Sequence, residues 1–566
     1  MNVVEIDVVV TDADGSPVHG LTRDDFVLLE DGEAVQLTNF LAIQDALRVA
    51  SAASAGEDAA IDPGTAEPGV TRIAVADPAT VVLFFDNSQL VATHRGRVLE
   101  DLRGFVAGSD APPGTRFMVV AYNPGLELVA PLTTHRQAVV EAIGRVEEMP
   151  ALGFQAERER MGSREHVMAI WQNIEDSKGY GPSEGEPGPG NRRWKESAST
   201  AGYRGRFFDP CDEGWGPMLN IIDAAAERSR HHAESSRQAL VELARSLAGI
   251  PGRKFVLHLS DGIPQVPGAI EYDILGQLCP DRAHELHSLS SRYDQSDALE
   301  ELVALASLNR VTIYALDTAG LSAVARSSAE ADDLRFTADF QTEASHRENL
   351  RASLHRMADG TGGRAFFDAN RPGPELAGMG RDMGNFYSLG FSPANGWDGE
   401  VHKVKVRLAE DVDGSYLLRY RERYRALPRE ERYGDRTLSA LLLGLEENPL
   451  GIEVRAGSAV GAADGAALVP IEIFLPVASL TTVADGERRT CDLRLVVAVQ
   501  DAQGGLTPPR ERIFPLELPS ALGGGDRHSL VLRLPLGPGR NHVAFGIEDR
   551  LAGTASYLRK TIEVAP

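Results

Sequence analysis

Four short apolar runs in the middle of the chain set the tightest limit on its fold: TVVLFFD (Thr80 to Asp86), RFMVVAY (Arg116 to Tyr122), KFVLHLS (Lys254 to Ser260) and VTIYALD (Val311 to Asp317). Runs of this kind, with little polar alternation, suit strands buried on both faces, and a parallel sheet covered by helices provides that burial. Amphipathic stretches lie between them and predict helices at His94 to Val106, His135 to Glu148, Met218 to Leu247, Asp297 to Leu308 and Glu348 to Asp359. A fifth strand is expected at Arg364 to Asp368, after the glycines of Gly360 to Gly363, which fit a helix C-terminus. The fold class is therefore α/β, a doubly wound, mostly parallel sheet.

The flanks read as β structure. Residues 1–45 alternate with period two and break at Asp14-Gly15 and Asp31-Gly32, dipeptides that favour tight hairpins. Residues 46–79 have linker composition, and the α/β domain spans 80–384. Within it, 151–216 reads as a partly disordered insertion, with some helix near Arg164 to Ile174. A β extension follows at 385–427, and 437–566 reads as regularly spaced strands, as in an immunoglobulin-like or fibronectin-like β-sandwich.

Lys and Arg number 57 against 82 Asp and Glu, and the resulting charge of -25 opposes attraction to nucleic acid or anionic lipid. No run approaches the ~20 apolar residues of a membrane helix. The opening MNVVEIDVVV lacks the features of a secretory signal, and a strand starting at Asn2 suggests that something upstream is missing. Three cysteines are too few for a disulfide scaffold; Cys211 and Cys279 lie in Pro-containing loops, where free thiols are favoured over a bridge. Catalytic signatures are missing too: there is no Gly-x-Ser-x-Gly, His-Glu-x-x-His or phosphate-loop pattern, so an enzyme is not expected. His284 and His287 fit a solvated helix face, His258 a packed core position, and His402 a structural one.

Ligands of a parallel α/β sheet gather outside the carboxyl ends of its strands. There the chain places Asp86-Asn87-Ser88-Gln89-Leu90 and Ser260-Asp261-Gly262, whose carboxylate and hydroxyl oxygens suit a hard cation such as Mg²⁺. Asp86 and Asp261 equally suit helix or turn caps. The order FFDNS, RFMVVAY, GRKFVLHLSDG, VTIYALD resembles a von Willebrand factor type A domain, which is Rossmann-like. Together with DVVVTDADGSPVHGLTRDDFVLLEDG, ADGTGGRAF, FYSLGFSP and HKVKV, it is similar to a bacterial family of proteins related to that domain, over residues 3 to about 424. The resemblance implies a metal-ion-dependent adhesion site in which Asp86, Ser88 and Asp261 hold Mg²⁺ or Mn²⁺. Leu90 stands where the family has a second serine, so binding should be weak and Leu90→Ser should strengthen it. The family's threonine falls in the insertion, with Thr200 a candidate. The function implied is adhesion to a protein or extracellular-matrix ligand offering an acidic side chain, in an exported protein. The alternative is a metal-free scaffold whose β modules make the contacts.

Overall fold

The computed structural model describes residues 3–44, 78–177, 209–320 and 334–565, apart from 251, 395, 397, 411, 413, 427–431, 462–466, 486–487 and 520–525. Nearly all of the 46–79 linker lies outside the described residues, as do 178–208 of the insertion and, with them, Thr200.

The chain opens with β1 (Val4–Thr11), β2 (Phe26–Glu30), β3 (Glu33–Val35) and β4 (Leu37–Ile43). Next come β5 (Thr80–Asp86), α1 (Ala92–Ala107), β6 (Arg116–Tyr122), β7 (Leu126–Thr133), α2 (Arg136–Glu148), α3 (Gly153–Ser177), α4 (Pro210–Glu213) and α5 (Trp215–Ser246). The α/β region continues through β8 (Lys254–Ser260), α6 (Ala269–Leu278), α7 (Ala283–Ser290), α8 (Ser296–Leu308), β9 (Val311–Asp317), α9 (Leu334–Gly360), β10 (Ala365–Phe366) and α10 (Gly373–Gly384).

Six of these strands form one sheet in the order β10-β9-β8-β5-β6-β7, parallel except for β7. Strand side chains alternate between faces, and the core divides accordingly. Val81, Leu83 and Phe85 pack with Val98 and Leu102 of α1 and Ile143 of α2. Val82 and Phe84 join Leu240 of α5, Leu302 of α8 and Met357 of α9 on the other side. The chain winds outward from β5 through β6 and then crosses back to β8, so the carboxyl ends of β5 and β8 flank the point where the order reverses.

β11 (Phe386–Phe391), β12 (Val401–Leu408), β13 (Leu417–Arg419) and β14 (Arg423–Arg425) interleave with the first four strands. Two sheets result, β13-β1-β11-β4 and β14-β12-β2-β3, around a shared core that includes Ile6, Val8, Leu28, Leu389, Phe391 and Val406. Residues 3–44 and 386–425 thus build one module rather than two. Arg310 and Arg253 tie it to the parallel sheet, reaching Asp7 of β1 at 3.1 and 3.3 Å. Arg253 also stacks over Phe386 at 3.5 Å.

The last segment contains α11 (Arg432–Leu443), β15 (Glu453–Ala456), β16 (Val460–Gly461), β17 (Ala467–Pro476), β18 (Val483–Asp485), β19 (Arg488–Gln500), β20 (Leu506–Pro519), β21 (Arg527–Leu536), β22 (Gly539–Asp549) and β23 (Thr554–Val564). Its two antiparallel sheets share a core that includes Ile471, Ile473, Leu493 and Phe545. α11 joins this module to the α/β region: Leu438 and Leu441 lie in the same apolar cluster as Leu240, Val496 and Ala498. Ser439 Oγ accepts the backbone N–H of Gly249 at 3.0 Å.

Contrary to the free thiols favoured by the sequence, Cys211 of α4 and Cys279 at the end of α6 form a disulfide. The two cysteines are 68 positions apart in sequence, and helix packing, including that of α5 against α6, brings them together. Among the described residues, no helix is long and apolar enough to cross a membrane.

Candidate functional site

Asp86 closes β5 on the face of Val82 and Phe84, toward α5, and is fully buried. Its Oδ1 accepts a hydrogen bond from Ser88 Oγ at 2.5 Å. Ser88 Oγ lies 2.8 Å from Ser236 Oγ of α5, which also accepts Gln89 Nε2 at 3.2 Å. The other carboxylate oxygen, Asp86 Oδ2, is buried without a hydrogen-bond partner. His258 Nε2 stands 3.9 Å from it, in a ring that is itself fully buried, with neither nitrogen bonded. Tyr122, the register partner of Asp86 at the end of β6, has its phenol pushed up first by burial and then by the carboxylate's charge.

The loop after Asp86 is covered. Leu152 N–H donates to Asn87 O at 2.7 Å, and Gly153 N–H to Leu90 O at 3.0 Å. Position 153 must be glycine for this approach, since a Cβ there would sit 2.3 Å from Gln89 O. Arg95 fixes the loop from below, donating to Asn87 Oδ1 at 2.7 Å and to the carbonyls of Glu147 and Met149 at 2.8 and 2.9 Å. Leu90 is fully buried in the apolar core of the α1–α2 side. A serine at 90 would therefore remove core packing on the side away from α5, which is at odds with the gain expected from Leu90→Ser.

Asp261 follows β8 by one residue, and alternation turns it to the side opposite His258, toward α1. Its Oδ2 accepts the N–H of Val91, the N-cap of α1, at 2.9 Å and lies 2.8 Å from His94 Nδ1. Thr318 Oγ1, just past β9, donates to its Oδ1. The carboxylate thus supplies from a neighbouring strand the cap that Val91 lacks, at a helix end where negative charge is favoured. Asp86 and Asp261 end adjacent strands but face away from each other. The oxygens that converge are those of Asp86, Ser88 and Ser236. Ser236 escaped sequence reading because its place depends on where α5 crosses the sheet. Among the described residues, no group of three His, Cys, Asp or Glu is placed to hold a metal.

A cavity of 370 Å³ opens at the same end of the sheet, lined by residues of α1, α3, α5, α6 and α9 and reaching Asp261 and His94. His284 and His287 lie exposed on α7. His402 is buried between Asp31 at 2.8 Å and Asp398 at 3.1 Å.

No protein-family model matches the chain, and no curated protein does. Among solved structures it is similar to Northeast Structural Genomics Consortium target SoR45, at 12% identity over 21% of this chain and 89% of that one, with a TM-score of 0.15. It is also similar to proximal thread matrix protein 1 from the mussel byssus, at 10% identity over 54% of this chain and 48% of that one, with a TM-score of 0.20. Likenesses at these scores carry no inference about this chain.

Proposed function

We propose that the chain is a non-enzymatic binding protein built on a von Willebrand A-like domain, holding Mg²⁺ or Mn²⁺ weakly at Asp86, Ser88 and Ser236. The observation that carries this reading is Asp86 Oδ2: a buried carboxylate oxygen with no donor, beside two hydroxyl oxygens. A buried charge is costly unless it is met, and a hard cation meets it with the oxygen ligands it prefers. One carboxylate and two hydroxyls leave most of the coordination shell to water, so affinity is low and the less exacting Mn²⁺ is favoured. When bound, the ion offers an open position to an acidic group of a protein or matrix ligand. Asp261 acts here as a positioning residue that holds α1. The strand order, with β5 and β8 at its reversal, supports the domain reading. The Cys211–Cys279 disulfide suits an oxidising compartment and supports export.

Calorimetry with Mn²⁺ tests this reading. Wild type should show saturable heat, Asp86→Ala none, and Ser236→Ala binding weakened several-fold. Equal heats in all three proteins would contradict it. The second reading, a metal-free scaffold, is favoured by the cover that Leu152 and Gly153 place over the loop. It predicts no Mn²⁺ binding at all.

A further inference from the structure

The cavity beside Asp261 holds groups that neither the candidate cation loop nor the fold accounts for. Glu271 lies in the first turn of α6 and is only 5% exposed, yet its Oε2 has no hydrogen-bond partner. Gly268 sets its position: with φ at +81°, it lies so close to α5 that a Cβ there would come within 2.3 Å of Ala226 Cβ. His346 of α9 also lines the cavity, and its Nδ1 is likewise buried and without a partner. Burial and then the charge of Arg160 pull the His346 pKa down to about 4, so the ring is neutral near pH 7 and one of its nitrogens is an acceptor.

The arginines of the cavity wall are engaged elsewhere. Arg160 donates to Glu343 at 3.2 Å and to Glu157 at 3.3 Å. Arg228 donates to Ser163 at 3.2 Å and lies 3.8 Å from Glu159. The charges of Arg160 and Arg228 still reach Glu271, and that of Arg160 reaches His346; over the whole wall, carboxylates outnumber arginines five to three. What the cavity offers a visitor is an unpartnered carboxylate oxygen and an unpartnered imidazole nitrogen, which accepts in the tautomer protonated at Nε2, and the matching chemistry is a group that only donates.

We propose that this cavity binds an organic cation, a primary ammonium or guanidinium group, whose N–H donors are accepted by Glu271 Oε2 and His346 Nδ1. Its 370 Å³ admits a molecule the size of a basic amino-acid side chain. Glu271 and His346 are distinct from the Asp86, Ser88 and Ser236 oxygens, although Gln89 of the loop after Asp86 also lines the cavity, and their role does not depend on a metal. Burial raises the Glu271 pKa, and a bound cation would favour its ionised form.

Agmatine, which carries both groups, is the probe, titrated calorimetrically into the full chain in EDTA so that no divalent ion takes its place. Wild type should bind it saturably, and 1,4-butanediol, which has the same four-carbon chain but no charge, should not bind. Glu271→Gln keeps the volume and should weaken binding at least tenfold, whereas Glu159→Gln, on the same wall but paired with Arg228, should leave it within twofold. Should Glu271→Gln melt below the assay temperature, His346→Leu takes over the test, with a several-fold loss expected. Absence of saturable agmatine binding, or binding undiminished in these variants, overturns the proposal. Loss of Mn²⁺ binding in Asp86→Ala with agmatine binding intact would show the two sites to be independent, as proposed.

Discussion

Asp86 and Asp261 end hydrogen-bonded neighbouring strands of one sheet, and their environments are opposite. Asp261 is saturated: a helix N–H, an imidazole nitrogen and a hydroxyl meet its two oxygens. Asp86 is more deeply buried, and one of its oxygens has no hydrogen-bond partner, with His258 Nε2 3.9 Å away. The cause is the two-residue period of a strand, which turns the end of β5 toward α5 and the residue after β8 toward α1. The lesson is that two carboxylates at one sheet edge are not thereby one site. A satisfied carboxylate contributes stability, while an unsatisfied one lowers it and keeps its capacity for a ligand.

The sharpest break in that comparison lies at Leu90, four residues past Asp86 and on Asp261's side of the sheet. If this position belongs to the core, Leu90→Ser should cost about 3 kcal/mol or more, from lost packing and a buried hydroxyl, and should not improve Mn²⁺ affinity. Thermal melts and calorimetry on the variant check both parts. Unchanged stability with tighter Mn²⁺ binding would return position 90 to the ion.

A smaller effect tests the rule that satisfied carboxylates stabilise. Burial alone would lower the pKa of His402, but hydrogen bonds to Asp31 and Asp398 and their charges outweigh it, and the net shift is upward. Both carboxylates are held below their ordinary values, Asp31 chiefly by His402 and Asp398 chiefly by the backbone N–H of Glu400. The imidazolium's contribution is therefore complete below its unfolded pKa of about 6.5 and is lost as pH rises through the higher folded value. The carboxylates' contribution is lost at the acid end, as pH falls through their lowered values. Melts across pH should show wild type losing its advantage over His402→Phe as pH rises above about 6.5. A difference independent of pH would break the rule.

How much of this was legible in the sequence follows from what each signal depends on. The limits of β5, β6, β8 and β9 coincide with the apolar runs because buried strands need little but their own side chains to be recognised. β7 was missed: LELVAPLT is only partly buried, contains Pro131 and sits at the antiparallel edge, so its pattern is neither continuous nor alternating. α6 and α7 were missed because they are short, and α9 starts well before the Glu348 expected for it. Asp86 and Ser88 are brought together because they share one loop. Ser236, Glu271 and His346 depend on helix crossings that no local pattern encodes.

The smallest expected effect bears most directly on the division of roles. Melting temperatures of wild type, Asp86→Asn and Asp261→Asn are to be compared with and without Mn²⁺ at a few times its dissociation constant, where linkage gives about 1 kcal/mol. Asp86→Asn should melt at or above the wild-type temperature without ion and lose the Mn²⁺ increment. Asp261→Asn should melt lower without ion and keep that increment. The opposite pattern, with the increment abolished by Asp261→Asn and retained by Asp86→Asn, would contradict the assignment of Asp86 as ligand and Asp261 as cap.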